Sequence, residues 1–283
     1  MNSAALHQFI VSALSEDTGN GDHSTLCCID PNARGKAVLK VKENGILAGM
    51  EVAEAIFRHV EPEVVFAKHK NDGDEMKMGQ IAFEVEAKAH TILSCERLVL
   101  NCMQRMSGIA TLTSAYVTLL SPYKTKLLDT RKTTPNFRLL EKEAVKIGGG
   151  FNHRFGLYDM IMLKDNHIDY CGSIELAINK AYDYVQANQA NLKIEVETRN
   201  IADVKKVVAI GKVDRIMLDN FSPEQICEAL QIIDGKFETE ASGGIHFDNL
   251  VEYAQTGVDF ISSGAIIHHA VCLDLSLKAV TLT

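Results

Sequence analysis

Apolar residues recur at helical spacing near the start of the chain, through Leu6, Phe9, Ile10, Ala13 and Leu14. This predicts an amphipathic helix that stops before the Gly- and Asp-rich stretch Thr18 to Asp22. That stretch reads as a surface loop, and the run Glu16 to Asp22 carries no function that the sequence assigns. Between Lys36 and Ala87 the period shortens to two in the runs 37–41 and 81–85. These flank a helical segment over Met50 to Val60, the pattern of a small α+β domain. From His90 to about Leu120 the pattern is helical and continuous, with Leu93, Leu98, Leu100, Met103 and Met106 available for burial.

Beyond Lys124 short apolar runs alternate with helical stretches, as in repeated βα units around a parallel sheet. The runs are 126–129, 160–163, 192–196, 215–218, 237–241 and 258–261. Six strands fall short of the eight in a complete barrel, so the predicted architecture is an α/β fold with an open or reduced barrel. An open doubly wound sheet is the alternative.

Composition narrows the class. The chain has 283 residues, 46% of them hydrophobic, enough for a sizeable core in one large or two moderate domains. Its seven scattered cysteines include no C-x-x-C pair, which argues against a disulfide framework or zinc site and for a reducing, cytoplasmic setting. Met1 to Leu14 lacks the features of a signal peptide, and no run approaches the roughly 18 apolar residues of a membrane span. A formal charge of -8 argues against broad binding of nucleic acid or anionic membrane, so anion recognition has to be local.

In βα folds the chemistry gathers at the carboxyl ends of the strands. The six runs end at Arg131 and Lys132, Lys164, Glu197, Asp219, Ser242-Gly243-Gly244, and Ser263-Gly264. Each alone reads as a loop residue; six on one rim point to a shared site. Arg131, Lys132, His153, Arg154 and Lys164 concentrate positive charge in an acidic protein. The mixture of planar guanidinium forks and compact ammonium groups suits a substrate with carboxylates and phosphates. Gly148-Gly149-Gly150 reads as a turn that delivers His153 and Arg154. The late glycine pairs, each expected before a helix, suit phosphate binding. Glu197 and Asp219 are candidate Mg²⁺ ligands beside substrate phosphate. Glu195 shares a strand face with Glu197, and spacing does not choose between them.

With these residues in view, the chain resembles the quinolinate phosphoribosyltransferase family. The blocks are Asp129-Thr130-Arg131-Lys132-Thr133-Thr134-Pro135, Gly148-Gly149-Gly150-Phe151-Asn152-His153-Arg154 and Leu163-Lys164-Asp165-Asn166-His167-Ile168. The agreement extends through Ser107 to Thr111, Met217 to Asn220, Glu240 to Ile245 and Asp259 to Gly264, covering the chain from about Glu96 onward. The resemblance implies an N-terminal α/β sandwich domain over 1–107, joined by the tail 267–283, and an incomplete α/β barrel over 108–266. It implies a homodimer in which Arg97 reaches the partner's site. It also implies that Arg131, His153, Arg154 and Lys164 surround two substrate carboxylates, while Lys132, Glu197, Asp219, Ser242, Gly243, Gly244, Ser263 and Gly264 serve phosphoribosyl pyrophosphate and Mg²⁺. Lys132, Glu197 and Asp219 are the expected catalytic groups. Asn136 stands where the family often has glycine, and asparagine tolerates the left-handed backbone such a turn needs. Three rivals stand beside this reading: the molybdenum-operon relative of the family, a Schiff-base barrel enzyme using Lys164, and a catalytically silent metabolite-binding protein.

Overall fold

The computed structural model describes residues 3–189 and 191–280. Met1–Ser114, Thr133–Gly149 and His269–Thr283 form one compact unit; Ala115–Lys132 and Gly150–His268 form a second.

The first unit contains strands β1 (Arg34–Val41), β2 (Gly45–Ile46), β3 (Val65–Lys68), β4 (Glu75–Met76) and β5 (Ile81–Lys88). β1 lies between the late strand Leu275–Val280 and β5, with β3 outside β5, all antiparallel. The helix Met50–Val60 runs as the periodicity predicts and buries Met50, Val52, Ala53, Ile56 and Phe57 along one stripe. Phe57 meets Phe83 of β5 edge-on at 6.3 Å, and Phe83 meets Phe66 of β3 at 4.5 Å. Burying each such ring contributes about 1.5–3 kcal/mol. Gly49 caps this helix with φ 101, and a Cβ there would lie 3.2 Å from Met103 of the long helix Ala89–Leu120. Helix and loop therefore dock at a distance only glycine permits.

The first helix spans Ser3–Thr18 and includes Glu16 to Thr18 of the expected loop. A second helix, His23–Cys28, carries no periodic signature at six residues. It starts because the Asp22 carboxylate accepts the Thr25 backbone N–H at 3.1 Å.

By its contacts, the segment Thr133–Gly149 groups with the first unit. Glu141, fully buried on the helix Arg138–Ile147, accepts two bonds from Arg105 of the long helix at 3.1 and 3.0 Å. It also accepts the Thr134 N–H at 2.8 Å and the Thr134 hydroxyl at 3.0 Å. A Cβ on Gly148 would lie 2.7 Å from Thr113 Cβ, so the first glycine of the triplet serves close helix contact. Asn136 sits at φ 61, the left-handed conformation expected of it.

The second unit is built on β6 (Lys126–Leu128), β7 (Ile161–Leu163), β8 (Ile194–Thr198), β9 (Arg215–Asp219), β10 (Glu238–Ser242) and β11 (Phe260–Ser262). They form one parallel sheet in the order β6-β11-β10-β9-β8-β7. Consecutive strands are neighbours from β7 to β11, and the first strand follows the last. This is the order of a barrel opened between its first two strands; a doubly wound sheet reverses direction at a switch point. At the β6 edge, Phe151 donates to Leu127 O at 2.8 Å and accepts the Asp129 N–H at 3.0 Å. The helices Ile174–Ala187, Ile201–Ile210 and Pro223–Ile233 begin at side-chain caps from Ser173, Asn200 and Ser222. With both faces covered, Val196, Ile216, Leu218 and Ala241 are buried on one face of the sheet and Glu195, Arg215 and Glu240 on the other.

Candidate active site

The carboxyl ends of the six strands bring together most of the sequence-selected residues of the second unit. At the end of β6, Asp129 is fully buried and its Oδ1 accepts the His153 N–H at 2.8 Å. Lys132 donates its backbone N–H to Thr130 Oγ1 at 3.0 Å. A Cβ on Gly264 would lie 3.1 Å from Lys132 Cδ, so that glycine leaves room for the lysine stem to cross from β6 to β11. Arg131 and Arg154 are both half-buried. Burial first, and then the charge of Arg131, lower the Arg154 pKa from its ordinary value. Two guanidiniums held this way suit an anion bearing two carboxylates.

Lys164, at the end of β7, extends its ammonium to Glu197 Oε2 on β8 at 3.1 Å. The other Glu197 oxygen accepts the Asp165 N–H at 3.4 Å. Asp219 ends β9 on the same face; burial and then the Glu197 charge raise its pKa. Glu197 and Asp219 thus set two hard oxygen donors at one rim, a donor set that suits Mg²⁺. Lys164 is half-exposed and ion-paired, unlike the lysine buried among apolar groups that a Schiff-base enzyme activates.

One layer below Glu197 lies Glu195, fully buried, with Oε2 3.0 Å from His153 Nε2. Glu240 on β10 approaches the same nitrogen at 3.3 Å and also meets Arg215 Nη1 at 3.0 Å. The imidazole contacts are ion pairs rather than aligned hydrogen bonds, because neither Glu195 oxygen has a hydrogen-bond partner. Burial opposes charge on the imidazole, but Glu195 and Glu240 outweigh it and push His153 up to about 9. Burial and the Glu240 charge push Glu195 up to about 7. Glu240 is held below the usual carboxylate range, since His153, Ser262 and Arg215 overcome its burial. The structure thereby separates the two glutamates that sequence spacing left equal. Glu197 faces the rim and Glu195 the interior.

After β10, Gly243 adopts φ 91, and a Cβ there would press into the Asn220 side chain and lie 2.8 Å from Asn220 N. Asn220, itself left-handed at φ 57, donates its N–H to Ser242 O at 2.8 Å. The ends of β9 and β10 therefore interlock with exposed backbone, which suits phosphate. Of the two helices expected to follow the glycine pairs directly, only the second does. The helix after Gly244 starts only at Leu250, and the one after Gly264, Ala265–His268, has four residues. Ser263 is buried and donates its hydroxyl to Ile245 O at 2.8 Å, holding the loop rather than facing outward. Arg97 is exposed on the long helix of the first unit. Sequence reasoning missed Asn220 and the anchoring role of Asp129, although both lie in the quoted blocks.

Comparison with known proteins covers most of the chain. Residues 22–107 match the description "Quinolinate phosphoribosyl transferase, N-terminal domain", and residues 109–278 match the corresponding C-terminal domain. The chain is 44% identical over 281 residues to "Quinolinate phosphoribosyltransferase [decarboxylating] 1b" of Nicotiana tabacum, covering 94% of this chain and 80% of that protein. It is similar to the crystal structure of NadC from Streptococcus pyogenes, with TM-score 0.91, 40% identity and 99% of each chain covered. It is also similar to the nicotinate-nucleotide pyrophosphorylase from Francisella tularensis, with TM-score 0.89, 38% identity, and 99% of this chain and 98% of that chain covered. Matched in both domains, the chain belongs to the quinolinate phosphoribosyltransferase family.

Proposed function

We propose that this chain joins quinolinate to phosphoribosyl pyrophosphate and releases nicotinate mononucleotide, pyrophosphate and CO₂, a step of de novo NAD synthesis. One observation carries the substrate assignment. Arg131 and Arg154 are two half-buried cations close enough for the charge of one to lower the pKa of the other. A ligand with two adjacent carboxylates relieves that repulsion more fully than nicotinate, which has one. Lys164 adds a third positive group.

In this reading the pyridine nitrogen forms a bond to the ribose anomeric carbon as the bond to pyrophosphate breaks. Lys132, passing over Gly264, supports the negative charge gained by the leaving group. Glu197, nine-tenths buried, is suited to stabilise positive charge developing on the ribose. When the carbon–carbon bond to the 2-carboxylate breaks, its electron pair stays on the ring carbon, where the adjacent nitrogen, now cationic, stabilises it. CO₂ departs and the ring carbon takes up a proton. Gly243, Gly244 and Ser242 serve the phosphates through backbone donors. Glu197 and Asp219 would hold Mg²⁺, which when bound offsets charge on the pyrophosphate. The assembly is a homodimer with Arg97 supplied across to the partner's site, and its setting is the cytoplasm. The exposure of Arg97 and the seven free cysteines support those two statements.

The test is purified protein with quinolinate, phosphoribosyl pyrophosphate and Mg²⁺, followed for nicotinate mononucleotide and CO₂. Formation of both in equal amounts is expected. Their absence overturns the reading, and a borohydride-trapped adduct on Lys164 would replace it with Schiff-base chemistry.

A further inference from the structure

Glu195 and Glu240 are fully buried on β8 and β10, with β9 between them, yet both reach one nitrogen of His153. Burying two carboxylates is a poor means of stabilising a fold, since apolar residues of similar volume usually do as well or better. Their geometry has a different result. His153 is held at two points: its backbone N–H on Asp129 and its Nε2 between the glutamates. Arg215 anchors Glu240 from β9 and stacks on Phe260 of β11 at 4.1 Å, so the clamp has its own support. The next residue after this pinned histidine is Arg154, whose Nη1 donates to Met160 O at 3.4 Å.

We infer that Glu195 and Glu240 are positioning residues: by clamping the His153 ring from two strands, they fix the peptide that carries Arg154 and so aim its guanidinium at the substrate dicarboxylate. The inference rests on the phosphoribosyltransferase reading. It predicts that loss of the clamp acts on one substrate only. Binding of the dicarboxylate weakens as though Arg154 itself were displaced, while the phosphoribosyl donor, held by the ends of β9 to β11, binds as before. A divalent transition metal is the other species that His153, Glu195 and Glu240 are disposed to hold, since one ligand atom from each lies within 4.8 Å of the others. Separations of 3.0 and 3.3 Å, with Arg215 already neutralising Glu240, favour the imidazole as the occupant.

Steady-state kinetics on the full chain test this, with Glu240→Gln, Glu195→Gln, Arg154→Ala and the Glu240→Gln/Arg154→Ala double variant. Glu240→Gln should raise KM for quinolinate roughly 10-fold, the size of one displaced charge-assisted hydrogen bond. KM for phosphoribosyl pyrophosphate should stay within about 2-fold, and the double variant should be no worse in quinolinate KM than Arg154→Ala alone. If a glutamine variant fails to fold, His153→Asn removes the clamped ring directly and should show the same selective rise. Unchanged KM values with a lower melting temperature, or effects that add to those of Arg154→Ala, would assign the glutamates a structural role and overturn the inference. So would a stoichiometric transition metal in purified wild-type protein that is lost in Glu195→Gln. Wild-type protein that forms no product refutes the reading beneath it instead, which keeps the two failures apart.

Discussion

Gly243 and Gly244 adjoin in sequence and both have positive φ, yet the structure assigns them different costs of substitution. At Gly243, with φ 91, an alanine Cβ lies 2.8 Å from the Asn220 backbone nitrogen. No rotamer change relieves a clash with backbone, so one strand exit has to move. The unfavourable conformation alone costs about 1–3 kcal/mol. If the shift also removes one backbone N–H from a phosphate, the loss is about 1.5–3 kcal/mol, or roughly 10- to 150-fold in affinity. At Gly244, φ is 63 and nothing lies within 4 Å of an added Cβ. There the cost is about 1–2 kcal/mol of stability, with the N–H still in position. Initial rates should be measured against phosphoribosyl pyrophosphate at saturating quinolinate, with thermal melts alongside. Gly243→Ala should raise KM for the phosphoribosyl donor about 10-fold or more, and Gly244→Ala by less than about 3-fold. Equal effects on KM, or none at Gly243, would refute the interlock of the β9 and β10 exits as the source of phosphate affinity.

Other outcomes follow from the same site. Arg131→Ala should lower turnover about 100-fold while leaving the melting temperature nearly unchanged, because it removes a charge-assisted contact from a half-buried rim residue; near-wild-type turnover would remove Arg131 from the site. His153 titrates at about 9 when folded, above the ordinary 6.5. Its contribution, about 3 kcal/mol, is therefore full below pH 6.5 and is lost as pH rises through 9. Urea midpoints at pH 6 and pH 9.5 should differ more for wild type than for His153→Asn, and parallel behaviour would contradict the ion-paired imidazole. Chelation with EDTA should abolish turnover and added Mg²⁺ restore it; turnover undiminished in EDTA would exclude a metal on Glu197 and Asp219.

Periodicity located what is periodic. The helix Met50–Val60 and all six parallel strands follow from their spacing because each buries a continuous stripe or run. Rim residues such as Lys164, Glu197 and Asp219 were legible because strand ends in βα folds converge on one face. Depth was not. Glu195 and Glu197 obey the same alternation, and only the neighbouring His153 and Glu240 reveal that one lies beneath the other. The resemblance places His153 at the substrate carboxylates, and only the structure reveals its side chain as 4% exposed beside Glu195 and Glu240. The affiliation of Thr133–Gly149 was equally hidden, since it depends on Arg105 finding Glu141 across 36 residues of sequence. The helix His23–Cys28 is too short for a period and owes its start to one capping carboxylate.

The order of the two sheets has a consequence for the chain as it is made. β1 takes its outer neighbour from Leu275–Val280, and β6 takes its partner from β11, more than 130 residues later. At about 5–20 residues per second, β6 waits on the order of ten seconds on the ribosome before its partner has been synthesised. During that interval both β1 and β6 offer unpaired edges, the feature that templates wrong pairings. A nascent chain released before Leu275 would hold every rim residue named here and still carry an open first sheet. Premature termination should therefore yield a chain recognised by chaperones and proteases rather than a smaller working enzyme.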